Sequence, residues 1–152
     1  MAYQDKPCTS ATETQKIMPS SSDKMELDPI LASIKLGSTG YMLEKMEAWC
    51  VAKAPSTASA IKQARVAWHQ RHESLLAKGS HILQTRLSYD ERLKIAVQSR
   101  LAHNEIYAKL ENASPSEHLQ SCEGIPAKLK DPQIDMTAHP ILVKTIMGYT
   151  DH

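Results

Sequence analysis

Ser88-Tyr89-Asp90-Glu91-Arg92-Leu93-Lys94-Ile95-Ala96-Val97 opens the stretch that decides the fold, which continues to Asn112 without glycine or proline. Ser88 and Glu91 stand at capping-box spacing, where each side chain satisfies a free backbone N–H of the other residue. Asp90 and Glu91 also place negative charge at the positive end of the helix. A long helix over 88–112 follows. Its apolar residues fall on two sides. Leu93, Ala96, Val97, Tyr107 and Leu110 share a broad face with Leu101 at its edge, while Ile95, Ala102 and Ile106 form a second stripe almost opposite. A helix apolar on two sides is normally sandwiched between neighbours, within its own fold or across a subunit boundary.

Upstream the helical character persists. Thr57 to Lys78 carries Ala60, Ile61, Ala64, Ala67, Trp68, Leu75 and Leu76, with Gly79 suited to a terminal cap. Pro55 ends a preceding helix over 39–53, in which Met42, Met46, Trp49 and Cys50 share one face. Asp28-Pro29 starts a first short helix bearing Ile30, Leu31, Ile34 and Leu36, and Gly37 reads as its stop. Only five glycines occur in 152 residues, too few for folds built on many tight turns. The expected fold is all-α: a compact three- to four-helix bundle over 28–112. Its expected core includes Leu31, Ile34, Met46, Trp49, Ile61, Trp68, Leu75, Leu93, Val97 and Leu110.

Two arms flank that bundle. Residues 1–27 are polar, with Pro7, Pro19, and hydroxyl clusters around Ser10 and Ser20 that stand three residues before an acid. Such a segment orders only on a partner. Residues 113–152 hold half of the eight prolines and read as irregular. The exception is 140–149, where Ile141, Leu142, Val143, Ile146, Met147 and Tyr149 could form a short helix that is marginal unless it docks.

Charge is segregated along the chain. Residues 53–109 carry ten Lys/Arg against four Asp/Glu, whereas both flanks are net acidic, so the overall +1 hides a basic middle. Charge segregation bears on partner choice rather than fold. Arg65, Arg71, Lys78, Arg86, Arg92, Lys94, Arg100 and Lys109 are the residues that would meet a phosphate backbone. No RNP, zinc-finger or helix-turn-helix pattern accompanies them.

Catalytic and metal patterns are weak. His69, His72 and Glu73 could share one helix face, but their order is not that of the zinc proteases, and a solvated face is the simpler reading. Gly37-Ser38-Thr39-Gly40 lacks the lysine of a phosphate loop and reads as a turn between helices. Asn112-Ala113-Ser114 is a chance sequon. Cys8, Cys50 and Cys122 form no CxxC pair and read as free thiols in a reducing compartment, Cys50 being a buried packing residue. The N-terminus lacks a signal-peptide pattern, and no apolar run approaches the ~20 residues of a membrane span.

These readings converge on a soluble intracellular protein, cytoplasmic or within a virion or other large assembly. The expected function is that of a non-catalytic structural or adaptor subunit, with no cofactor and no bound metal. It would contact other protein subunits or copies of itself through Ile95, Ala102, Ile106, Ile141, Leu142, Val143, Ile146, Met147 and Tyr149. The alternative is a nucleic-acid-binding or packaging helical protein that uses the basic middle.

Overall fold

The computed structural model describes residues 27–151. The expectations for the N-terminal arm, its serines and Cys8 therefore lie outside the described residues. The architecture is all-α, a helical bundle with no strand among the described residues.

Helix α1 spans Pro29–Lys53. Asp28 caps it, its carboxylate accepting from the N–H groups of Ile30 at 2.8 Å and Leu31 at 3.1 Å. Pro29 occupies the first helical position, where its missing N–H costs nothing. The helix runs straight through Gly37 and Gly40, so the expected stop at Gly37 is corrected. A glycine caps a helix only where the chain turns into a left-handed conformation; inside an otherwise apolar helix it merely costs about 1 kcal/mol relative to alanine. Ala54 ends α1 because Pro55 follows, and Pro55–Thr57 forms a 3-10 turn.

Helices α2 (Ala58–Arg71) and α3 (Glu73–Arg86) come next, broken at His72 where one helix was expected to reach Lys78. Helix α4 spans Tyr89–Glu111 with both halves of the Ser88–Glu91 capping box formed. Beyond it lie α5 (Pro115–Glu123), the single turn α6 (Ile125–Lys128), a 3-10 turn at Met136–Ala138 and α7 (Pro140–Met147).

The C-terminal segment is more regular than its prolines suggested. Ser114 and Glu117 repeat the capping box, and Pro115 sits at the first helical position, where it starts a helix rather than breaking one. The same holds for Pro140 in α7.

The core forms on α1. Ala32, Leu36, Leu43 and Cys50, all on one side of α1, meet Ile61 and Trp68 from α2 and Leu75 and Ile82 from α3. Cys122, Ile125, Leu129, Met136, Leu142 and Ile146 complete it from the C-terminal segment. Ile61, Trp68 and Leu75 are buried as expected, whereas Leu31 and Leu93 are exposed. Gly79 is not a cap but lies within α3. A Cβ there would stand 3.5 Å from Leu36 and Ser33, so its bare backbone lets α1 and α3 approach closely.

Two devices hold the C-terminal segment on this core. Cys50 and Cys122 form a disulfide across 72 residues, which corrects their reading as free thiols and removes the basis for expecting a reducing compartment. The pairing could not be read from spacing, because distance along the chain says nothing about distance in space. The second device is His72, fully buried with its ring stacked on Trp68 at 3.8 Å. Its Nε2 accepts the N–H of Met136 at 2.9 Å. A backbone N–H only donates, so the ring proton sits on Nδ1, which donates to the carbonyl of Trp68 at 2.6 Å. Trp68 also donates from Nε1 to the carbonyl of Ile134 at 3.0 Å.

Candidate functional site

Helix α4 is attached to the bundle differently from every other long element. Its inward row meets α1 through polar and aromatic contacts rather than a packed apolar layer. Ser99 and Ser38 share a hydrogen bond of 2.7 Å, and Tyr41 stacks on His103 with centroids 5.2 Å apart. Tyr107 stacks on Trp49, whose indole donates to Glu111 at 3.1 Å, and Lys53 pairs with Glu111 at 2.9 Å. His103 is the one buried residue of the helix.

The electrostatics follow from these neighbours. The Lys53 ammonium, then the Trp49 indole, hold the Glu111 carboxyl below its ordinary range. Burial raises the Tyr107 phenol and lowers the His103 imidazole. Nδ1 of His103 is buried with no hydrogen-bond partner, an arrangement that favours the neutral ring.

The outward side of α4 carries exposed leucines among its charged residues. Leu93 is 49% exposed and Leu101 61%, with half-buried Val97 between them at four-residue steps. Residues so spaced are neighbours along one stripe. The sequence had given Leu93 and Val97 to the core. The structure divides both faces: Tyr107 stacks on Trp49 and Val97 and Leu110 are half-buried while Leu93 is exposed, and in the second stripe Ile95 is half-buried while Ala102 and Ile106 are exposed. A helix apolar on two sides can bury either, and the choice belongs to what α1 presents, here Ser38, Tyr41 and Trp49.

The C-terminal candidates divide. Leu142 and Ile146 are 0% exposed within the chain's own core, which corrects their assignment to a partner. An eight-residue helix is too short to be stable alone, and α7 meets that need by docking on α1 and α3. Ile141 and Met147 remain exposed on its outer side, and Val143 is half-buried. Tyr149 is also half-buried, its ring facing Lys78 at 6.0 Å and Arg86 at 5.9 Å.

The basic residues do not gather on one face. Arg65 pairs with Glu47, and Arg71 lies 3.4 Å from Asp135. Arg92 donates to the carbonyl of Leu87 at 2.8 Å, closing the end of α3. Lys94, Arg100 and Lys109 stay on the surface of α4, spread around about half of its circumference at roughly 100° per residue.

His69, His72 and Glu73 do not converge. His69 lies 3.5 Å from Glu44, His72 is sealed beneath Trp68, and Glu73 begins α3 in solvent. Among the described residues no group of three His, Cys, Asp or Glu side chains is placed to hold a metal ion. No described helix is long and apolar enough to cross a membrane.

The residues that sequence reasoning missed are Gly37, Cys122 and His72. None carried a local signal, since each takes its role from a distant segment. No family model matches the chain, and no characterised protein or solved structure is significantly similar to it.

Proposed function

We propose that this chain is a non-catalytic assembly subunit that packs the outer face of α4 antiparallel against a second copy of itself. The observation that carries the proposal is the row formed by exposed Leu93 and Leu101 with half-buried Val97 between them, on a helix that buries little within its own chain. Large apolar side chains in a contiguous exposed row mark interaction surfaces more often than free ones.

Charge supports the antiparallel copy. Lys94 and Glu105 are eleven residues apart, close to three full turns, and so lie on the same side of α4 beside the stripe. Setting Val97 of one copy opposite Leu101 of the other brings each Lys94 within one residue of the other copy's Glu105. Antiparallel helix axes also oppose their dipoles favourably. The basic residues lend nucleic-acid binding no comparable support, because Arg65 and Arg71 are spent on acids of the same chain.

The test is sedimentation equilibrium from micromolar to sub-millimolar concentration. The native chain is expected to form a dimer, and the double variant Leu93→Glu, Leu101→Glu to remain monomeric with unchanged circular dichroism. Lys94→Glu and Glu105→Lys should each weaken the dimer and restore it when combined. A native chain that stays monomeric throughout the range overturns the proposal.

A further inference from the structure

Beneath α4 lies a feature that the outward stripe does not use. Two adjoining cavities of about 300 Å³ each run between α1 and α3 and on to α4, sharing Gly37, Leu83 and Arg92 in their walls. Each is at the lower end of the size range of small-molecule sites. The walls are mainly apolar, with Leu36 and Leu76 in one lobe and Ile34 and Ile95 in the other. Among the described residues, Arg92 and Arg100 supply the only charges of the walls, and no carboxylate lines either lobe.

Gly37 sits where the lobes meet. A Cβ built there would meet nothing within 4 Å, whereas Cβ atoms at Gly40 and Gly79 would touch neighbouring helices. Those two glycines are explained by close packing. Gly37 is not: it lies exposed inside a 25-residue helix at a cost of about 1 kcal/mol against alanine, where the trench opens to solvent.

We propose that this trench binds a single-chain amphipathic carboxylate of the free fatty-acid class. The chain lies across Gly37, and the carboxylate pairs with the guanidinium of Arg100. Arg92 is partly committed to the Leu87 carbonyl, which leaves Arg100 as the principal anchor. A guanidinium matches a carboxylate in charge and in two-pronged geometry. At about 30 Å³ per water-sized volume, two lobes of about 300 Å³ each have room for roughly twenty heavy atoms at most, which admits a medium-length fatty acid. The site stands apart from the proposed dimer contact, since Ile95 and Ser99 face the trench while Val97 and Leu101 face away.

Isothermal titration of the full chain with dodecanoate tests this, with dodecyltrimethylammonium as the cation of equal tail length. Dodecanoate should bind at one site per chain, and the cation at least about tenfold more weakly. Gly37→Leu fills the junction and should weaken dodecanoate binding by about tenfold or more, while leaving the helix signal intact. Arg100→Gln, an exposed change that cannot unfold the chain, should bring the two amphiphiles to comparable affinity. The proposal is overturned by absence of saturable dodecanoate binding, by equal binding of both amphiphiles to the native chain, or by dodecanoate binding that survives Gly37→Leu.

Discussion

Helices α1 and α4 are nearly equal in length, yet one is the centre of the molecule and the other lies against its side. Helix α1 buries Ala32, Leu36, Leu43 and Cys50 and is packed by α2, α3, α5 and α7. Helix α4 buries His103 alone and is held by a serine pair, stacked rings and one lysine–glutamate pair. Length and capping make a helix; burial makes it part of a core. The α4 capping box is complete, and still its Leu93, Leu101 and Ile106 face solvent.

Four changes would break or sharpen that contrast, and the largest effect belongs to the disulfide. Closing 72 residues should contribute about 4 kcal/mol by loop entropy. Denaturant unfolding with and without a reductant should show a loss of that size, with amide protection falling first in the C-terminal segment.

The next contrast sets the two regions side by side. Ile82→Ala, at a site 0% exposed, should cost about 3 kcal/mol because it opens a cavity in the core. Leu101→Ala should stay within about 0.5 kcal/mol, measured at dilution low enough to prevent self-association. Equal costs at the two positions would erase the distinction between core and flank.

His72 comes third and carries a pH signature. Burial pulls its pKa below the ordinary 6.5, with the Trp68 carbonyl and Asp135 opposing and Arg71 and His69 adding to the fall. The neutral form is therefore the folded form. Its stabilisation is fully present above pH 6.5 and is lost as pH drops through the lower folded value, because the unfolded chain takes up the proton first. Thermal unfolding temperatures should fall from pH 7 to pH 5. His72→Phe keeps a ring on Trp68 but strands the Met136 N–H and removes one of the two hydrogen bonds at the Trp68 carbonyl, costing about 2 kcal/mol. That variant should also flatten the acid slope, leaving the part that belongs to His103.

The smallest effect has the opposite sign. Gly37→Ala should stabilise the chain by about 0.5–1 kcal/mol, since the added Cβ meets open space and the helix gains propensity. Gly79→Ala, with Leu36 and Ser33 already at 3.5 Å, should gain less.

Much of the fold was legible along the chain, and the particulars show why. The Ser88 cap, the Pro55 break and the Asp28-Pro29 start act over three or four residues, and each is where local chemistry put it. Ser114-Pro115 obeys the same rule and was obscured only by the density of prolines around it. Of the residues expected to meet a partner, Ala102 and Ile106 are exposed, while Leu142 and Ile146 are buried in the chain's own core. Their apolar character was plain in the sequence; which surface would cover it was not.

By itself, the sequence determined that this protein is helical, where most helices begin, and that α4 has two apolar sides. Those properties depend on hydrogen bonds and side-chain spacing within a few turns. Only the tertiary structure decided which side of α4 turned inward, that Cys50 meets Cys122, that His72 holds Met136, and that Gly37 opens onto a trench. Each of these joins segments far apart in the chain, and the energy of such a contact depends on what arrives opposite rather than on the residue alone.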